Sequence, residues 1–200
     1  MGLIFYIMGK SSSGKDTIYR RLLDGGKSGL RTLIPYTTRP MRAGEVNGRE
    51  YFFTDEEGLA RLKAEGRVIE DRVYQTWHGP WHYFTVDDGR IDGEREDCLL
   101  TGTLESFCRV RDYFGKDRVI PLYIELDDGE RLQRALRRER AQEEPKYEEM
   151  CRRFLADAED FREEKIRDAG IRRRFRNDDL EECLGQLRMY MAEEREKGGM

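Results

Sequence analysis

Several things are scarce in this chain. Its 200 residues include two histidines, four cysteines and five prolines, and the longest unbroken apolar run, Leu3–Met8, is six residues. A membrane-spanning helix needs about 20 apolar residues, so that run excludes one. The N-terminus also lacks the basic segment of a secretory signal. Cys98, Cys108, Cys151 and Cys183 form no C-x-x-C pair, which argues against a zinc site or a disulfide framework and fits free thiols in a reducing cytoplasm. His78 and His82, in "WHGPWH", stand four apart. With no third ligand nearby in sequence, packing among aromatics is their expected role. Positive charge is not in excess: 37 Lys and Arg face 41 Asp and Glu, a net charge of −4. General affinity for nucleic acid is not expected, despite the basic stretch "IRRRFR" at 171–176.

What is present describes a folded, helix-rich α/β protein. Charged residues make up 39%, apolar residues 38% and aromatics 10%, enough apolar and aromatic surface to build a core in one domain. Leu3–Met8 reads as a parallel strand buried on both faces. A Gly/Ser loop follows, then "KDTIYRRLLDGG", an amphipathic helix stopped by Gly25 and Gly26. Residues 31–36, 50–53, "RVIEDRVY" and "WHYFTV" read as strands, with "DEEGLARLKAEG" as a short helix among them. "DCLLTGT" (97–103) and "RVIPLYIEL" (118–126) are further buried strands, with the helix "LESFCRVRDYFG" between them. Two charged helices, "DDGERLQRALRRERAQ" and "KYEEMCRRFLADAEDFREEK", precede a short strand and a final helix. Strands alternating with helices imply a sheet with helices packed on it, and residues 35–90 read as a β-rich insertion.

"GKSSSGKDT" (9–17) nearly matches the phosphate loop G-x-x-x-x-G-K-[ST], in the strand–loop–helix context that motif requires. Gly9, Lys10, Ser11, Ser12, Ser13, Gly14, Lys15, Asp16 and Thr17 are the candidate ATP-binding residues, and backbone N–H groups from Ser11 to Thr17 can wrap the β-phosphate at a helix N-terminus. Lys15 supplies a point charge on the β- and γ-phosphates. Taken alone, the stretch also reads as a Gly/Ser turn capping a helix. The residue after Lys15 is Asp16 instead of a hydroxyl residue, with Thr17 one step late. A carboxylate is a hard oxygen ligand, so Asp16 is the candidate Mg²⁺ ligand.

A second stretch, "YTTRPMRAGEVNGREYFF" (36–53), resembles the guanylate kinase family, whose monophosphate site carries T-T-R-x-x-R-x-G-E-x-[ND]-G-x-[DE]-Y-x-F. The resemblance extends to the loop, to "GRVIED" (66–71) and to "RNDDLEECL" (176–184). It implies a P-loop kinase with a three-layer α/β/α core and a parallel sheet (1–34, 91–133 and 154–200), a β-rich monophosphate-binding insertion (35–90) and a helical lid (134–153). It implies ATP-dependent phosphoryl transfer to a nucleoside monophosphate, most of all GMP, in the cytoplasm and with no nucleic-acid or membrane partner. Arg39, Arg42 and Tyr51 would hold the acceptor's phosphate. Two guanidiniums and a phenol suit a dianion. Glu70 would read the base, Tyr83 would bind phosphate and Thr85 the base. Arg138 and Arg153 would be the lid's catalytic arginines, with Arg134 or Arg137 as alternatives, and Asn177 would lie near the adenine of ATP.

The chain also departs from that pattern. Thr101 and Thr103 stand where the family has acids, Pro35 replaces a base-reading serine, and Phe84 replaces a glycine. Asp16 and Thr101 look like an exchange of acid and hydroxyl around one metal. The combination "GKDT", "TGT" and "TWHGPW" resembles the ribose 1,5-bisphosphate phosphokinase family, so a sugar-phosphate kinase is the alternative expectation. A non-catalytic guanylate kinase-like binding module is a second alternative, opposed by the retained Lys15.

Overall fold

Alternation inside the first apolar run sets up the middle of the molecule, because successive side chains of a strand point to opposite faces. A computed structural model of the chain describes residues 2–23, 29–42, 44–49, 51–76, 79–89 and 96–198. In it, Ile4, Tyr6 and Met8 of strand β1 (Ile4–Met8) join a cluster with Phe107, Val110 and Ile166. Phe5 and Ile7 join the opposite cluster with Ile18, Leu22, Leu184 and Leu187. Every residue of β1 is buried, as a central parallel strand covered on both faces must be.

Strand β1 lies between β7 (Asp97–Gly102) and β8 (Val119–Glu125), with β2 (Leu30–Thr32) and β9 (Arg174–Arg176) at the edges. All four pairings are parallel. Helices α1 (Lys15–Leu23) and α7 (Leu180–Gly198) cover one face. The other is covered by α3 (Leu104–Phe114) and α6 (Glu163–Asp168). This is the three-layer α/β architecture expected from the alternating pattern. The Gly25–Gly26 helix stop lies outside the described residues.

The expected strand at 31–36 is divided between two sheets. Its start is β2, and its last residue opens β3 (Tyr36–Thr37) of a second sheet, which also holds β4 (Phe52–Phe53), β5 (Val68–Thr76) and β6 (Gly79–Val86) in the order β4-β3-β6-β5. Pro35 sits at the division. It has no N–H to give a ladder, although its carbonyl accepts from Phe52 N–H at 2.9 Å. Strand β4 runs parallel to β3, and β5 pairs antiparallel with β6. Helix α2 (Glu56–Ala64) packs Leu59 and Leu62 beneath this sheet, against Phe84 and Val86.

The second charged helix is also divided. After α4 (Asp128–Arg140), α5 (Tyr147–Asp160) ends where Phe161 turns inward to stack on Tyr123, with ring centroids 5.7 Å apart. Burying that ring breaks the helix, and α6 restarts at Glu163.

Candidate active site

The loop after β1 is shaped by close approaches of backbone. A Cβ on Gly9 would lie 2.5 Å from the Ile124 carbonyl oxygen, and one on Gly14 would lie 2.2 Å from the Asn177 amide nitrogen. Gly14 also has φ +90°, a conformation that side-chain-bearing residues rarely adopt. Lys15 and Asp16 open helix α1, whose first N–H groups lack intrahelical acceptors and present a positive dipole end. Lys15 Nζ lies 3.4 Å from Asp16 Oδ1, and the Asp16 side chain is 75% exposed, accessible to a bound cation.

Side chains from distant parts of the sequence hold this loop. Asn177, 3% exposed, donates its amide to the Ser13 carbonyl at 2.7 Å, and its own N–H bonds Glu125 O at 2.9 Å. The resemblance places Asn177 beside adenine; in the structure its side-chain amide donates to Ser13 O under the loop.

Arg131, 1% exposed, is a residue the sequence reading missed. It donates from Nε to Ser11 O (3.0 Å), from Nη2 to Asp157 (2.8 Å) and from Nη1 to Asp128 (2.5 Å). Asp157 also accepts from Ser11 N–H at 2.8 Å, and Lys10 pairs with Asp128 at 3.2 Å. Helices α4 and α5 are thereby latched to the loop. One signal could have found Arg131. It shares the buried face of α4 with Ala135 and Glu139, four and eight residues on.

The lid arginines chosen from the sequence sit elsewhere. Arg138 and Arg153 are both exposed, and Arg153 lies 3.5 Å from Glu149. Arg134 reaches the loop instead. Its Nη2 donates to Asn177 O at 3.2 Å, and Nη1 lies 3.6 Å from where a Gly14 Cβ would be.

The second sheet gathers the acceptor candidates. Arg39, 3% exposed, makes a bidentate pair with Glu45 at 2.7 and 2.5 Å and lies over the rings of Tyr51 (5.1 Å) and Phe53 (5.4 Å). Its buried Nε has no hydrogen-bond partner. Glu45, also missed as a site residue, accepts in addition from the Arg42 N–H at 2.7 Å. These bonds push the Glu45 carboxyl down to about 2 and raise the Arg39 pKa. Tyr51 meets Tyr83 edge to face at 5.6 Å, and burial raises the Tyr51 pKa. The β5–β6 register sets Glu70 opposite Thr85 and Arg72 opposite Tyr83. Thr85 donates to Glu70 Oε1 at 2.8 Å, and Glu70 is 7% exposed.

A cavity of about 380 Å³ separates this sheet from the core, with Glu70, Thr85, Tyr51, Arg72 and Pro35 on one side and Tyr6, Leu100 and Thr101 on the other. It sets a buried carboxylate across from Leu100 and Thr101 near the C-terminal end of β7 and close to Tyr19 and Leu23 of α1, the helix that follows the loop; that end of an open parallel sheet is where ligands bind.

The guanylate kinase family model matches residues 3–194. The chain belongs to the guanylate kinase family. Guanylate kinase from Oleidesulfovibrio alaskensis is 31% identical over 193 residues, covering 96% of this chain and 87% of that protein. Guanylate kinase from Caldanaerobacter subterraneus subsp. tengcongensis is 30% identical over 161 residues, covering 80% and 74%. The crystal structure of guanylate kinase from Anaplasma phagocytophilum superposes with a TM-score of 0.61, covering 96% of this chain and 86% of that one. At 19% identity, this likeness speaks for the fold.

Against the family pattern, the departures sort by location. Phe84 needs no glycine geometry, because it sits in regular pairing with Tyr36 and Asp71 and is fully buried. Thr103 caps α3, accepting from Ser106 N–H at 3.2 Å. Thr101 is exposed at the end of β7, in register with Ile7. His82 was expected to pack among aromatics; instead its Nδ1 lies 2.8 and 2.9 Å from the two Asp71 oxygens, and Lys63 lies 2.6 Å from Asp71. His78 lies outside the described residues. Among the described residues, no cluster of three or more His, Cys, Asp or Glu could hold a metal, all four cysteines are free, and no helix is long and apolar enough to cross a membrane.

Proposed function

We propose that the protein transfers the γ-phosphoryl group of ATP to GMP, giving ADP and GDP, in the reducing cytoplasm. The observation that carries this reading is the buried Glu70 carboxylate, oriented by Thr85, in the cavity between the second sheet and the core, where Tyr51 and Arg72 also stand. Guanine offers N1–H and the 2-amino group side by side, and one carboxylate accepts both. Adenine presents a lone pair at N1, leaving Glu70 facing an acceptor. A site built on such buried bonds rejects the wrong partner by roughly 10⁴-fold or more.

The other roles follow from charge and position. Residues 9–17 form the loop that binds the ATP phosphates at the N-terminus of α1, with Lys15 on the β- and γ-phosphates. Arg39, Arg42, Tyr51 and Tyr83 hold the acceptor's phosphate. The unpartnered Arg39 Nε is a donor awaiting such an oxygen. Residues 134–153 act as a lid and residues 35–90 as the acceptor arm. Their closure brings Arg138 and Arg153 from solvent to the transferring group and excludes water. The donor set suits Mg²⁺, since Asp16 is an accessible carboxylate beside the phosphates and this ion takes one or two carboxylates plus phosphate oxygens and waters. When bound, Mg²⁺ offsets charge on the β- and γ-phosphate oxygens. Transfer is direct and in line, and positioning supplies most of the acceleration.

The test is ADP release with Mg²⁺-ATP against GMP, dGMP, AMP, UMP, CMP and ribose 1,5-bisphosphate. GMP is expected to lead AMP by about 10⁴ in kcat/KM. Turnover of the sugar bisphosphate without turnover of GMP overturns the proposal.

A further inference from the structure

The acceptor cavity contains a guanidinium that the phosphate and carboxylate roles above leave unused. Arg72 lies two residues beyond Glu70 on β5, and residues two apart share a strand face. Its Nε is 3.2 Å from Glu70 Oε2, close enough for charge attraction, yet buried and without an aligned hydrogen-bond partner. Arg72 lines the cavity together with Glu70, Thr85 and Pro35. It also lines the adjoining cleft with Thr103 and Leu104 at the start of α3, which places it at the Glu70 end of the acceptor site.

Two residues that line the cavity with Glu70 supply no free donor. Pro35 carries no side-chain donor, and the Thr85 hydrogen is committed to Glu70. A base whose two N–H groups face Glu70 carries its 6-carbonyl next to them, and that oxygen needs a donor once buried. Arginine is the side chain that most often reads the guanine O6 edge, because its planar fork matches it.

We propose that Arg72 is a specificity-determining residue that donates to the 6-carbonyl of the acceptor base, so that Glu70 and Arg72 together select a 6-oxopurine monophosphate. This rests on the GMP reading of the same site. Carboxylate and guanidinium form a complementary pair. One accepts from the ring's N–H groups, the other donates to its carbonyl, and each neutralises the other while the site is empty. AMP is rejected twice, because it offers a lone pair to Glu70 and an amino group to Arg72.

The test compares kcat/KM for GMP, 6-thio-GMP and IMP in the wild type, Arg72→Met and Arg72→Lys. The sulfur of 6-thio-GMP weakens the contact to Arg72, and IMP lacks only the 2-amino group that faces Glu70. For Arg72→Met, kcat/KM with GMP should fall about tenfold to a hundredfold, mainly through KM. The GMP to 6-thio-GMP ratio should fall toward one while the GMP to IMP ratio is kept, and Arg72→Lys should recover part of the loss. Such ratios do not depend on the folded fraction of a preparation. An equal loss with all three nucleotides overturns the proposal and assigns Arg72 to the phosphate or to the fold. A collapse of the GMP to IMP ratio overturns it in favour of positioning Glu70. A wild type that turns over no GMP defeats the parent reading instead, and is recognised before any variant is made.

Discussion

Between Met8 and Lys15 the chain is shaped by what its backbone must avoid, whereas between Val68 and Val86 it is shaped by which side chains share a face. In the loop, two glycines admit the Ile124 carbonyl and the Asn177 amide, and Arg131, Asp157 and Asn177 hold the main chain from outside. In the hairpin, the ladder shifts register between Val68 and Glu70 and is regular from there on; it carries Glu70, Arg72 and Thr85 to the cavity and sets Tyr83 opposite Arg72, and the chemistry resides in the side chains. A ladder keeps its geometry when its side chains change. That is why Phe84 fits where the family pattern has glycine.

Variants can break this contrast, and the largest effect belongs to the hairpin. Glu70→Leu should reduce the preference for GMP over AMP from about 10⁴ to within tenfold, with ATP KM little changed. Steady-state kinetics with both nucleotides read this, and a retained preference would move base recognition away from Glu70. Arg131→Met tests the loop's outer support. It removes the partner of the mostly buried Asp157, so urea unfolding should show a loss of about 3 kcal/mol. ATP KM should rise while GMP KM stays put, and equal rises in both would join the two regions in one unit.

Asp16 and Thr101 test whether the loop's metal chemistry is shared with β7. Asp16→Ser and Thr101→Asp should each lower kcat, by about tenfold or more for Asp16→Ser, and the double variant should regain part of the loss. Two harmless single changes, with no gain on combining them, would end the exchange idea.

The smallest effect concerns Glu45, whose carboxyl titrates near 2 instead of its ordinary 4.5 because Arg39, and then the Arg42 N–H, donate to it. A depressed folded pKa contributes stability that is complete above 4.5 and is lost as pH falls toward about 2. Unfolding midpoints of wild type and Glu45→Gln should therefore differ at neutral pH and converge in that acidic window. A difference that persists unchanged into acid would remove the ion pair from the explanation.

How much of this was readable beforehand depended on contiguity. "GKSSSGKDT" and "TTRPMRAGEVNGREYFF" are local strings whose residue types carry their chemistry, and β1 was readable because an unbroken apolar run has few other places to go. The division of 31–36 at Pro35 was hidden, because a proline breaks a ladder only once it is known which ladders compete. The bend at Phe161 was hidden for a similar reason: Tyr123 supplies the driving contact from far along the chain. Among the arginines of α4 and α5, composition could not separate solvated ones from the buried one. Arg131 is singled out by Ser11 and Asp157, which lie 120 and 26 residues away in sequence.

The amino-acid sequence by itself determined the family, the layered α/β plan, and the two strings proposed to bind phosphate and acceptor. These depend on periodicity and on local backbone demands, which need no distant partner. Tertiary structure alone decided that Asn177 and Arg131 brace the loop, that Glu45 restrains Arg39, and that Arg72 stands beside Glu70 at a cavity wall. Each of those roles is a statement about burial and a partner across space, and charge, hydrogen bonding and desolvation acquire their strength only where the fold brings the two together.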